Sequence, residues 1–434
     1  MFVRLIAPEP LYTFGLKPPK LNQSLTLSYL AALTPTEYSV DIVDGSISEI
    51  PFDTKPDVVG ISFISSSSLN AYAIADKYRR LGVTVVLGGF HVSIYPDEAL
   101  EHADAVVVGE AENVWVKLLN DVQNDKLKPV YKSDTLHNLT QLPLPRYDFY
   151  NQADYNNSVP VFISRGCPYR CNFCSIKTVY GPRFRLRPID DVVAHIKTIK
   201  DIYWHEDQIP PLSINFVDDN LWGDAEYAKE LFKRIAPLNI YWSSQVSLTV
   251  DEELVHLAAK SGCSFVFMGF ESLDSRNLDF LNKKQNKIDL YEKSIATMHK
   301  ENIVVGGFFM FGLPYDDENC FVDLTDFLEK NCVETIVAAI FQPIPGTEQY
   351  DKWEGKDECK DYSTIMQSLP IYYPQSMTKQ EFKREFLKFS RRIYSDASID
   401  MRLNNCINPG AYFINKGQQD FFGDIKMDEW ADLE

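Results

Sequence analysis

Short apolar runs, closed by glycine or polar turns, alternate with longer amphipathic stretches along most of the chain. In the first 130 residues the runs Phe2–Ala7, Tyr38–Val43, Asp57–Ile64, Val83–Leu87 and Ala105–Val108 read as strands. Leu25–Leu33 and Leu69–Leu81 read as helices. Strands alternating with helices predict a parallel, Rossmann-like, doubly wound α/β sheet. Several runs end in a polar or glycine turn: Ser62 in a serine-rich stretch, Gly88-Gly89, and Gly109-Glu110. Such sheets bind ligands at the carboxyl ends of their strands, where these turns sit.

Residues 131–158 have no period. Asn138 to Tyr155 mixes prolines, asparagines and aromatics, which predicts a linker. The alternation then resumes with a longer repeat. Candidate strands are Val159–Ser164, Leu212–Asp218, Ile240–Val246, Ser264–Phe270, Val304–Phe311 and Glu334–Gln342, with helices such as Asp190–Tyr203, Ala225–Ile235 and Asp289–Lys300 between them. Six strand–helix units predict a partial (β/α)6 barrel over 159–350, with chemistry at the carboxyl ends of its strands. Residues 351–434 are charged and predicted to be a small helical region. The expected domains are therefore 1–130, a linker at 131–158, 159–350 and 351–434.

Composition narrows the function. The 434 residues are too many for one ordinary core. A formal charge of −18 opposes a nucleic-acid backbone, although Arg183, Arg185 and Arg187 could form a local basic patch. A small-molecule, lipid or peptide substrate is favoured. No stretch reaches the ~18 uninterrupted apolar residues of a membrane span. No N-terminal segment reads as a secretion signal, so the expected location is the cytoplasm. Of the eight cysteines, three fall within eight positions, while Cys263, Cys320, Cys332, Cys359 and Cys406 are scattered singly. That pattern reads as a metal site in a reducing compartment rather than a disulfide framework.

The bunched cysteines lie in Ser164-Arg165-Gly166-Cys167-Pro168-Tyr169-Arg170-Cys171-Asn172-Phe173-Cys174, directly after the first barrel strand. Three thiolates in one loop can grip one face of an iron–sulfur cubane, for which sulfur is the suitable soft ligand. The fourth iron then stays open, as a catalytic site requires. Zinc is the alternative metal. A closed zinc site wants four ligands, but the next cysteine is Cys263 and His195 stands alone.

At these residues the chain resembles the radical S-adenosylmethionine (SAM) superfamily, whose signature is Cys-x3-Cys-x2-Cys. The resemblance implies a 4Fe–4S cluster on Cys167, Cys171 and Cys174, with SAM on the open iron. It implies one-electron cleavage of SAM to methionine and a 5′-deoxyadenosyl radical, which takes a hydrogen atom from the substrate. An electron donor such as flavodoxin or ferredoxin would be a partner. Phe173 matches the aromatic that contacts adenine in the family. Asp218 and Asp219 match the motif that receives the methionine amino group, and Gln245 and Ser247 match polar contacts to ribose or carboxylate. Met268-Gly269-Phe270-Glu271-Ser272 is similar to a Gly-x-Glu-Ser motif that aims Glu271 at the cofactor. Gly312 falls in the glycine turn that approaches adenine, and Pro343-Ile344-Pro345-Gly346-Thr347 closes the series. Each piece alone has a plainer reading: a helix cap, a loop former, a core ion pair or a turn.

The first domain resembles the cobalamin-binding domain fused to many of these enzymes. Ser62, Gly88, Gly89, His91, Gly109 and Glu110 match its cofactor edge. One departure is clear. The Asp-x-His-x-x-Gly motif that supplies a lower cobalt ligand is absent, and the corresponding stretch reads Asp41-Ile42-Val43-Asp44-Gly45-Ser46. Two readings stay open. With cobalamin bound, the expected reaction is methylation of an unactivated carbon. Without it, a radical SAM cyclisation or rearrangement is expected. Residues 1–166 lack the cysteines of a methylthiotransferase's second cluster, and Cys359 and Cys406 are not grouped as auxiliary-cluster ligands would be. A pure binding protein would not need three spaced thiolates. Tyr372, Tyr373 and Tyr394 either line the barrel mouth or, as aromatics at such spacing more often do, pack.

Overall fold

The computed structural model describes residues 1–10, 22–151, 154–155, 158–203, 213–354, 374–403 and 409–425. Leu212, Cys359, Tyr372, Tyr373 and Cys406 lie outside the described residues. The chain forms two compact units. The first contains residues 1–160, with 175–191 and the described part of 345–367; the second contains 161–174, 192–344 and the described residues beyond 368.

The first unit is built on a six-stranded sheet of β1 (Phe2–Ala7), β2 (Ser39–Asp44), β3 (Val58–Ser62), β4 (Thr84–Gly88), β5 (Ala105–Val108) and β6 (Val130–Lys132). Its order is β2-β1-β3-β4-β5-β6, and every pair is parallel. The helices are α1 (Leu25–Leu33), α2 (Ser68–Arg80), α3 (Phe90–Ile94), α4 (Pro96–Glu101) and α5 (Trp115–Gln123). Side chains alternate between the two faces of a strand. Ile6, Val59, Ile61, Val85 and Leu87 accordingly enter one core, while Val3, Leu5, Val58 and Val86 enter the other. This is the flavodoxin-like strand order, in which the chain reverses between β1 and β3.

The stretch expected as a linker is tied to this unit. Arg146 N donates to Ser28 O at 3.1 Å, and the hydroxyls of Tyr150 and Tyr155 donate to Ser24 O and Asp44 Oδ2 at 3.0 and 3.1 Å. Buried tyrosines with satisfied hydroxyls anchor it without regular secondary structure, so periodicity could not reveal the packing.

The sheet of the second unit contains β7 (Ser158–Val161), β8 (Ser213–Phe216), β9 (Tyr241–Val246), β10 (Cys263–Glu271), β11 (Val304–Phe311) and β12 (Thr335–Ile340), in simple sequence order across the sheet. The pairs from β8 to β12 are parallel. Sequential order is that of a singly wound, partial (β/α) barrel. Its helices are α6 (Ile189–Tyr203), α7 (Ala225–Ile235), α8 (Glu252–Lys260), α9 (Ser275–Phe280), α10 (Tyr291–Lys300) and α11 (Cys320–Lys330).

Among the described residues beyond 374, three helices follow: α12 (Lys379–Ile393), α13 (Asp396–Leu403) and α14 (Pro409–Asp424). Arg402, 2% exposed, donates to the carbonyls of Val333, Glu334 and Ile393 and so ties them to the start of β12. Tyr394 packs: it is 1% exposed, stacks on Phe422 and donates to Ile336 O at 3.0 Å.

Candidate functional site

The first barrel strand ends earlier than its apolar run. Asp218, just past β8, accepts hydrogen bonds from Ile163 N (3.1 Å), Ser164 N (2.6 Å) and Ser164 Oγ (2.5 Å). A side-chain acceptor thus replaces the ladder, and the chain turns out into the cysteine loop. Gly166 there has φ +83°, a left-handed conformation that favours glycine. Asp218 is 2% exposed, so its carboxylate is committed to building the loop. Its neighbour Asp219 accepts from Gly166 N and is pushed up to about 7 by burial and by the nearby Asp218 charge. Of the two expected amino-group ligands, Asp219 is the less enclosed.

Cys167, Cys171 and Cys174 form no disulfide, and each is partly exposed. Burial pushes the Cys167 thiol above its usual range. Among the described residues no three His, Cys, Asp or Glu side chains converge closely enough to hold a single ion. A cubane asks for a different arrangement, because each thiolate binds its own iron at a separate corner.

Glu271 ends β10 with φ +67°, just after the register shift against β11. A glutamate in that conformation costs about 1–3 kcal/mol and persists only where its surroundings hold it. Here the holding partner is Lys283, whose ammonium pairs with the Glu271 carboxylate. The two side chains are 12% and 6% exposed. Lys283 also lies over the Phe173 ring, 5.9 Å from its centroid, and its charge acts on Cys171 and Cys174. Gln285 Nε2 donates to Cys171 Sγ at 3.4 Å. Lys283 and Gln285 were not singled out in the sequence. They lie in a polar stretch, Asn282 to Lys287, where only their neighbours in space mark them.

Phe173 packs beside Leu281, Leu313 and Phe341. Leu313 follows Gly312, whose φ is +86°. That turn is set by Asp316, which accepts from Leu313 N at 3.0 Å and from Asn277 Nδ2 at 2.7 Å. The structure therefore brings Cys171, Phe173, Glu271 and the Gly312 turn into one neighbourhood. Gln245 and Ser247 belong instead with the end of β8. Ser247 N donates to Asn220 Oδ1 at 2.9 Å and Leu221 N to Gln245 O at 3.1 Å, while the Gln245 side chain is exposed.

In the first unit, Ser62 and Gly88 are register partners at the carboxyl edge of the sheet. Gly89 has φ +104°, and a Cβ there would lie 2.7 Å from Phe63 N and overlap the Phe63 carbonyl. Beside Gly109 a Cβ would meet nothing within 4 Å. Gly89 is thus required for close packing on Phe63, while Gly109 leaves backbone bare, a ledge over which a bulky ligand can lie. His91 behaves differently from the rest. It is wholly buried, with Nδ1 3.0 Å from Ser65 Oγ and Nε2 3.1 Å from Tyr72 Oη and 3.2 Å from Glu98 Oε1. Burial depresses its pKa, so it stays neutral and braces the serine loop. Glu110 is likewise engaged, with Arg185 (2.7 and 3.0 Å) and His137 N (3.0 Å). Both side chains thus have polar partners within the first unit.

Comparison with known proteins adds to this geometry. The Radical SAM superfamily model matches residues 161–328 and the B12 binding domain model residues 20–119. Bacteriochlorophyllide d C-12(1)-methyltransferase of Chlorobaculum tepidum is 30% identical over 405 residues, 91% of this chain and 88% of that protein. The chain belongs to the radical SAM superfamily, in the branch that carries a B12-binding domain. This radical SAM enzyme also shares 25% identity with the hopanoid C-2 methylase of Rhodopseudomonas palustris, over 75% of the chain and 63% of the methylase. The radical SAM methyltransferase TsrM of Kitasatospora setae, solved with cobalamin and a [4Fe–4S] cluster, has the same fold: TM-score 0.69 at 14% identity, covering 97% and 99% of the two chains. Members of the superfamily use a 4Fe–4S cluster and SAM. Among the described residues no helix is long and apolar enough to cross a membrane.

Proposed function

We propose that this enzyme is a cobalamin-dependent radical SAM C-methyltransferase, placed in the cytoplasm, that methylates an unactivated carbon of a small molecule. The observation that carries the reading is the near full-length similarity to a methyltransferase, with both the cysteine loop and the glycine ledge in place. Magnesium-protoporphyrin IX monomethyl ester cyclases are also similar, at 22% identity, which is further away than the methyltransferases.

The residues divide the work. Cys167, Cys171 and Cys174 would hold the cluster, with the loop opened by Asp218 and Gly166. Asp219 and the Glu271–Lys283 pair would bind the amino and carboxylate ends of SAM's methionine, and Phe173 with the Gly312 turn would bound its adenine. Ser62, Gly88, Gly89 and Gly109 would carry a corrinoid on backbone, since both His91 nitrogens are engaged within the protein. When bound, the cluster and SAM supply a hydrogen-abstracting radical, and the corrinoid supplies the methyl group. The electron enters from a low-potential one-electron carrier such as flavodoxin or ferredoxin.

Anaerobically purified protein should be brown, and Cys174→Ala should abolish the cluster absorption. Incubated with SAM and substrate, the enzyme should form 5′-deoxyadenosine and S-adenosylhomocysteine together, one SAM spent on each. Colourless wild-type protein holding zinc would overturn the enzyme reading. Deoxyadenosine without S-adenosylhomocysteine, in protein that never retains a corrinoid, would replace methyl transfer by a cyclase or rearrangement reaction.

A further inference from the structure

The cysteine loop is clasped by a segment that carries no cysteine, Phe280 to Asn286, between α9 and α10. Asn172 N donates to Leu281 O at 3.2 Å and Asn172 Nδ2 to Phe280 O at 2.7 Å. Asn282 Nδ2 donates to Arg170 O at 2.7 Å. These bonds tie the residues on both sides of Cys171. The same segment carries two further groups that face the cysteines. The Gln285 amide donates to Cys171 Sγ at 3.4 Å. The Lys283 ammonium is brought beside the cysteines, with its side chain 12% exposed.

An N–H aimed at a ligating sulfur, and a cation near it, favour whichever oxidation state carries more negative charge. Hydrogen bonds to sulfur, net charge and exposure are the levers that set an iron–sulfur potential. Taking one electron from a low-potential carrier adds one negative charge to the cluster. Both groups therefore favour the reduced state. Glu271 offsets part of the Lys283 charge, whereas the neutral Gln285 amide acts on the sulfur directly.

We infer that Gln285, seconded by Lys283, is a positioning residue that raises the reduction potential of the cluster and so eases electron entry. This rests on the cluster being held by Cys167, Cys171 and Cys174. The test is an anaerobic redox titration of the full-length reconstituted protein without SAM, read by the electron paramagnetic resonance signal of the reduced cluster, with iron content measured in parallel. Gln285→Leu removes the donor, and Gln285→Glu replaces it with an acceptor of the same shape. Both should keep wild-type iron content and shift the reduction equilibrium toward the oxidised form. The glutamate variant should shift it tenfold or more, about 59 mV for one electron. Lys283→Arg should stay near wild type, and Lys283→Met combined with Glu271→Gln, which leaves no unpaired buried charge, should shift in the same direction as Gln285→Leu.

Wild-type potentials in both Gln285 variants at full iron content would overturn the inference. So would loss of the cluster from Gln285→Leu, because Gln285 would then be a holding residue. A wild-type protein without any cluster would instead overturn the functional reading on which the inference stands.

Discussion

Single side chains in this enzyme act mostly by fixing backbone. Asp218 holds Ile163 and Ser164 where a strand would otherwise continue. Asp218→Ala should leave those buried donors without their acceptor and cost about 2–5 kcal/mol, read by chemical denaturation. An unchanged unfolding midpoint would show that the loop is set elsewhere. Asp316 does the same for the Gly312 turn and is pushed up to about 7, burial outweighing its three donors. A carboxyl that keeps its proton to higher pH when folded stabilises the fold in acid. That contribution is complete below the unfolded value of 3.8 and is lost as pH rises through about 7. Relative to Asp316→Asn, the wild-type protein should therefore lose stability between pH 4 and 7 in urea unfolding. A difference between the two that stays flat over that window would contradict the assignment.

At the scale of elements, strands were legible because their apolar runs are continuous and end in glycine or serine. The short helices α3 and α4 were not, since five or six residues are too few to show a helical period. The turn between β4 and α3 is where local chemistry and candidate function coincide. Gly89→Ala combines a left-handed φ with overlap against the Phe63 backbone, whereas Gly109→Ala carries the φ cost alone. The first should lower the melting temperature by well more than the second, and both should weaken corrinoid retention read by visible absorption. Equal melting temperatures for the two variants would contradict the close approach of Gly89 to Phe63. The candidate site was legible wherever a motif named it, as for the cysteines, Asp219 and Glu271. Lys283 and Gln285 were missed because a lysine and a glutamine in a polar turn look like any solvated surface. Only the fold of 280–286 back onto the cysteine loop brings them, half-buried, beside it.

For the whole molecule, each compact unit is assembled from separate segments of the chain. Residues 175–191 and the described part of 345–367 belong with the N-terminal sheet. Arg185 reaches Glu110, whose side chain is 5% exposed, and Thr178 Oγ1 donates to Gly346 O at 2.5 Å. A fragment cut at residue 158 therefore loses both the Arg185 partner of Glu110 and the packing of residues 175–191 on the first unit. That fragment should melt well below the full chain and bind a hydrophobic dye; a cooperative, dye-free unfolding transition would show that the cut is harmless.

The sequence by itself determined the class of the fold, the order of its strands along the chain and the three-thiol loop, because periodicity and spacing are properties of the chain. The same holds for the family resemblance, which rests on motifs in order. Tertiary structure alone decided which of two adjacent aspartates is the more enclosed, why His91 is braced on both nitrogens, and which cation stands beside the cysteines. Those outcomes depend on burial and on partners distant in sequence, and a buried polar group takes its role from whatever its surroundings leave it to bond.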